Sequence, residues 1–107
     1  MSDQAIKFDT GKPQISCFPL NALNEAIKVM TLGAKKYGKY NYISGTGLDH
    51  SRMFDAAIRH IFQYWNQDHE NDIDELGTHH LANAIAELSM LLEHILKQRG
   101  LDDRPKK

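Results

Sequence analysis

The sequence predicts an all-α fold: three main helices with an extended N-terminal arm, assembling as a helical-bundle homo-oligomer. Three observations lead there. Apolar residues recur at three- and four-residue steps over 23–37, 54–65 and 81–95. Turn-forming residues separate these stretches. The third stripe is apolar enough to serve both a core and a subunit contact, more than a small monomer covers comfortably. With 107 residues the chain reads as a single domain, 1–107, comprising an arm over 1–19, the helices, and a charged tail over 101–107 that should fray.

Composition narrows the function classes. The net charge is -1 and the pI is near 6.6, so no nucleic acid polymer is expected as a partner and any basic site must be local. The single Cys17 rules out an internal disulfide and fits a reducing cytosol. No leader-like segment and no long apolar run is seen, so a cytoplasmic setting with no membrane partner is expected.

In the arm, Asp9-Thr10-Gly11-Lys12-Pro13 is turn chemistry, with Lys7, Asp9 and Lys12 around the turn. Pro13 and Pro19 bracket the next stretch and disfavour a long helix. Ile6, Phe8, Ile15 and Phe18 are apolar enough to pin the arm to a helical body.

The first helix should be capped by Asn21 or Asn24 and end near Gly38. Leu23, Ala26, Ile27, Met30, Ala34 and Tyr37 form its apolar face. Gly33 lies in its interior, a placement that suggests close packing or a ligand near the backbone. The stretch Gly33 to Tyr42 holds three lysines, three tyrosines and Asn41. Such residues suit a planar ring with a negative tail, as in a nucleotide. They equally suit a basic helix terminus complementing the dipole. The following Ser44-Gly45-Thr46-Gly47 lacks the Gly-Lys-Ser/Thr end of a phosphate loop and reads as a flexible connection.

The second helix is expected from Asp49 to about Asn66, with Phe54, Ile58, Ile61 and Trp65 as its core stripe. Arg52, Asp55, Arg59 and Gln63 share another face, and His60 lies at the apolar border. An acidic connector over 67–77 follows, flanked by His60 and by His79-His80. An antiparallel hairpin would gather these residues at one end. Histidine with Asp or Glu is a ligand set for zinc or a related metal, although the spacing matches no established signature. The third helix carries Leu81, Ile85, Leu88, Leu92 and Ile95, broadened by Ala84 and Leu91, with Gly100 as its natural stop.

Four groups of residues, in this order, carry a resemblance: Lys7-x-Asp9-x-Gly11-Lys12; Gly33-Ala34-x-Lys36-Tyr37-Gly38 with Asn41; Arg52, Ala56 and Arg59-His60; and Glu75-x-Gly77-x-x-His80-Leu81-Ala82. The chain resembles a phage family named for dATP/dGTP diphosphohydrolases, in their N-terminal domain, over about residues 6 to 95. The resemblance implies a helical nucleotide-handling protein of a phage or prophage, working in the infected host cell. Two positions depart from the family pattern: Asn83 stands where a second histidine is common, and Glu87 where an asparagine is common.

The family name implies hydrolysis. Helical pyrophosphohydrolases of the MazG type hold magnesium with paired acids on adjacent helices, because magnesium takes hard oxygen ligands and bridges phosphates. Here the second helix offers only Asp55, and Glu87 and Glu93 do not share a face. The cationic and aromatic side is fuller. The nucleotide-binding set is Lys7, Asp9, Lys12, Lys36, Tyr37, Asn41, Arg52, Arg59, His60 and His80. The leading reading is thus binding of a phosphorylated nucleotide without a cofactor, as in sequestration of a host nucleotide immune signal. The alternative is a metal-dependent dATP/dGTP diphosphohydrolase, with Asp72, Asp74 and Glu75 joined by the histidines around Mg or Mn. A plain helical interaction module is the third reading.

Overall fold

A computed structural model of the chain describes residues 4–66 and 77–106. Three helices follow one another: α1 (Leu20–Tyr37), α2 (His50–Asn66) and α3 (His80–Leu96), with short 3₁₀ turns at Ile15–Cys17 and Asn41–Ile43. No strand is present among the described residues. The all-α expectation holds, and the helix limits fall close to those read from the period.

Local chemistry sets the ends. α1 starts after Pro19, at φ -68, rather than at an asparagine cap; Asn21 and Asn24 lie inside the helix. It stops at Gly38, at φ 95, whose N–H donates to the Ala34 carbonyl at 2.9 Å. α2 starts one residue after Asp49, whose carbonyl accepts from the Arg52 N–H. His79 caps α3: its Nδ1 accepts from the Leu81 N–H at 3.0 Å. At the far end the Arg99 N–H reaches the His94 carbonyl at 2.8 Å, the Gln98 N–H reaches Ile95, and Gln98 takes φ 55. This is a Schellman stop built on a glutamine, so α3 ends before Gly100 rather than at it.

α3 packs against both other helices, and its contact with α2 is the more extensive. His60 lies beside His80, and His50 beside His94. The two pairs run in opposite order along the chain, so α2 and α3 are antiparallel.

The faces differ from expectation. α2 buries His50, Met53, Ala57 and His60, not Phe54, Ile58, Ile61 and Trp65. Trp65 is 79% exposed and Phe54 52%. On α3 the buried residues are His80, Ala82, Asn83, Ala84, Ala86 and His94, while Leu88, Leu92 and Ile95 face outward. Ala57 of α2 and Ala84 of α3 lack bulk, so the two helices can approach closely. The large apolar side chains are left on the outside of the hairpin. The arm follows the same pattern: Ile6, Phe8, Ile15 and Phe18 are exposed, so these side chains do not pin it to the helices. Nor does Gly33 mark a close approach, since a Cβ there would meet nothing within 4 Å.

The tail does not fray. Asp103 accepts from the backbone N–H of Ser51 at 2.9 Å and from its hydroxyl at 2.5 Å. The His50 N–H donates to the Leu101 carbonyl, the Gly100 N–H to Thr46, and the Arg99 guanidinium to Ile43. These bonds clamp the glycine-rich segment 44–47, which is therefore an anchored turn rather than a loose connection. A charged tail is ordinarily solvated, but here Asp103, 52 residues beyond Ser51, caps the first turn of α2.

Candidate functional site

The buried seam of α3 is polar. His80, Asn83, Glu87, Met90 and His94 step by three and four residues along one face, opposite His50, Met53, Ala57 and His60 of α2. The seam has a histidine pair at each end.

At the His94 end both rings have structural partners. The Nε2 of His94 accepts from the Leu48 N–H at 3.1 Å, so its Nδ1 carries the proton and donates to the Met90 carbonyl at 2.7 Å. The Nε2–H of His50 donates to the Arg99 carbonyl at 2.9 Å. Gly47 and Gly100 lie against the His94 ring. This end locks the tail and the 41–48 turn to the hairpin.

At the other end the Nδ1 atoms of His60 and His80 are 3.0 Å apart, with His80 fully buried. One Nδ1 must donate and the other accept, so only one of the two facing atoms bears a proton. The Thr78 hydroxyl donates to the Asn83 side-chain oxygen at 2.5 Å, and Tyr64 lies against the His79 ring at 5.5 Å. The acids expected to hold a metal, Asp72, Asp74 and Glu75, lie outside the described residues. Among the described residues, no group of three or more His, Cys, Asp or Glu side chains could hold a metal ion.

Between the two ends sits Glu87. Burial pushes its carboxyl from 4.5 up to about 7, and the positive charge of Arg59 on α2 holds back part of that rise. The folded chain therefore keeps a proton on Glu87 between about pH 4.5 and 7 that the unfolded chain releases. Stability should fall as pH rises through that window. Glu87→Gln, which cannot ionise, should melt close to wild type at pH 5 and higher than wild type at pH 8. After allowance for solvent screening the gain is on the order of 1–2 kcal/mol. Thermal melts at both pH values check this; an equal offset at pH 5 and pH 8 would contradict it.

Arg59 also lines an open groove of about 510 Å³ on α2. Two ridges of that helix border it: Phe54, Ile58 and Phe62 on one side, Asp55, Arg59 and Gln63 on the other. The buried side-chain oxygen of Gln63 has no hydrogen-bond partner, an orphan acceptor beside the groove. A flat apolar ridge next to an arginine is suited to a ring and a phosphate.

The remaining expected site residues are spread apart. Asn41 belongs to the turn whose Tyr42 and Ile43 meet His94 and Arg99, and Arg52 follows the Ser51 that binds Asp103. Both are thus at the His94 end. Lys36 and Tyr37 finish α1 just before that turn, the ammonium lying over the Tyr37 ring at 5.0 Å. Arg59, His60 and His80 belong to the middle and opposite end, roughly 15 Å along α2 from His50 to His60 at 1.5 Å per residue. Lys7, Asp9 and Lys12 stay exposed on the arm, where the Lys12 N–H closes the turn onto Asp9. Of the expected set, the described contacts join His60 to His80, Lys36 to Tyr37 and, through the backbone, Lys12 to Asp9. The signal that finds Glu87 is the polar period of α3, which runs beside the leucine period and is just as regular.

Fold and site together define a small all-α protein whose helical hairpin buries His50, His60, His80 and His94. Family comparison is consistent with that class and more specific. Over residues 2–104 the chain matches the dATP/dGTP diphosphohydrolase N-terminal family, and it belongs to that family. It is 34% identical over 100 residues to a Salmonella phage PMBT28 protein named dATP/dGTP diphosphohydrolase, covering 92% of this chain and 32% of that protein. The chain thus spans about a third of that relative's length. No solved structure matches it. No helix among the described residues is long and apolar enough to cross a membrane.

Proposed function

We propose that the chain binds a purine deoxynucleoside triphosphate at the α2 groove. Arg59 takes phosphate oxygens and the Phe54–Phe62 ridge takes the base. The observation that carries this reading is the position of Arg59, which lines the apolar groove and acts electrostatically on a half-buried carboxyl. The family name supports the ligand class. His60 and His80 serve this reading indirectly, because their facing nitrogens are committed to each other.

Glu87 favours a second reading, hydrolysis. A carboxyl poised near pH 7 has the proton affinity that a general base for water needs. Water would attack the α-phosphorus, its proton passing to Glu87, and pyrophosphate would leave with the deoxynucleoside monophosphate as the other product. A divalent ion would neutralise phosphate charge. Among the described residues, no group of three or more His, Cys, Asp or Glu side chains forms a cage for it.

Incubation with dATP, dGTP and cyclic nucleotides, with Mg or Mn and separately with EDTA, tests both readings when followed by chromatography before and after heat denaturation. Triphosphate retained by the folded protein and recovered intact supports binding. A recovered cyclic nucleotide would point to sequestration of a host signal. Monophosphate and pyrophosphate indicate hydrolysis. Neither retention nor conversion overturns both.

A further inference from the structure

We propose that a second copy of this chain covers the outward apolar face of α2 and α3 and closes over the Arg59 groove. The second part rests on the reading of that groove as the nucleotide site.

The inverted distribution of side chains is the first ground. Phe54, Ile61, Phe62 and Trp65 on α2, with Leu88 and Leu92 on α3, are exposed, while the interior of the hairpin holds alanines and histidines. Scattered exposed leucines are ordinary, but a continuous row of large side chains along two adjacent helices marks an interface.

Area is the second. The chain exposes 8813 Å². A compact monomer of 12.2 kDa exposes about 6,100 Å². The radius of gyration is 17.5 Å, against about 13 Å for a compact domain of this length. The extended arm accounts for part of the difference, and its own Ile6 and Phe8 are bare as well. A standard interface takes about 800 Å² from each partner, so the excess is ample for one isologous contact or more.

The groove is the third. All of its described lining residues lie on α2, and the groove is open to solvent. A nucleotide bound there alone would leave most of its surface in water, whereas small-molecule sites enclose most of the ligand. A two-fold axis across the middle of α2 would lay the N-terminal half of one helix, with Arg52, beside the C-terminal half of the other, with Arg59 and Gln63. Charges that one chain holds apart would then meet in one site.

Light scattering coupled to size exclusion gives the test, run on wild type and on Trp65→Asp, a residue of the apolar face that does not line the groove, with dGTP affinity measured on both. The expected wild-type mass at micromolar concentration is at least two chains. Trp65→Asp should run as a single chain with unchanged helical circular dichroism, since the side chain is outward in the isolated chain. Its dGTP affinity should fall at least tenfold. A monomeric wild type overturns the proposal, and that measurement needs no variant. An oligomer unmoved by Trp65→Asp overturns the assigned face. A monomeric variant that binds dGTP as tightly as wild type overturns the closure over the groove. Oligomeric wild type that binds no nucleotide leaves the interface standing and refutes the nucleotide reading instead.

Discussion

Gly100→Ala is expected to lower stability by on the order of 3 kcal/mol, roughly 10–20 °C in Tm for a chain of this size. Two costs add. Gly100 holds φ 74, where a side chain loses about 1–2 kcal/mol. A Cβ there would also collide with the Leu48 carbonyl oxygen and press on the rings of His94 and His50 at 3.0 and 3.2 Å. Neither neighbour can yield cheaply. Leu48 donates its N–H to His94, and His50 is bonded to the Arg99 carbonyl. The Gly100 N–H to Thr46 bond, at 2.7 Å, would be the first lost, and the 41–48 turn would loosen with the tail. Gly33→Ala is the matched control. Gly33 lies inside α1 with open space around it, so alanine there should stabilise by about 1 kcal/mol. Thermal or denaturant melts of both variants check the pair. If the two substitutions had similar effects, the tail would not be the latch described here.

The same tail shows where sequence reading stops. Helix limits were legible because caps and periods are local: Gly38 ends α1, and Asp49 precedes α2. The stop of α3 was misplaced at Gly100 because glycine is the usual left-handed residue, whereas Gln98 takes that role and Gly100 is needed for close approach to Leu48. Periodicity located the apolar faces of α2 and α3 but could not say what they meet. Phe54, Ile58, Ile61 and Trp65 have the spacing of a core stripe, yet the buried face of α2 carries Met53 and Ala57. An apolar stripe is satisfied equally by the same chain or by another, and one helix's sequence does not distinguish these.

The site was legible in part. Arg59 was singled out from its place on the polar face, and the groove and Glu87 now give that choice a setting. His60 and His80 were expected to meet at one end of an antiparallel hairpin, and they do, but facing each other rather than an open pocket. Lys36, Tyr37, Asn41 and Arg52 read as one pocket with Arg59 because they are similar in chemistry. Asn41 and Arg52 lie toward the His94 end, and Arg59 lies seven residues further along α2 than Arg52.

The most direct measurement is calorimetric titration of dGTP into wild type and Arg59→Ala at pH 7 and low ionic strength, with EDTA present so that turnover does not obscure binding. Arg59 is exposed and off the buried seam, so the variant should keep its helical content and melt close to wild type. Loss of a charged hydrogen-bond partner for phosphate costs on the order of 2 kcal/mol, which predicts affinity lower by roughly thirtyfold. Equal affinity in the two proteins, with the fold intact, would contradict a nucleotide site centred on Arg59.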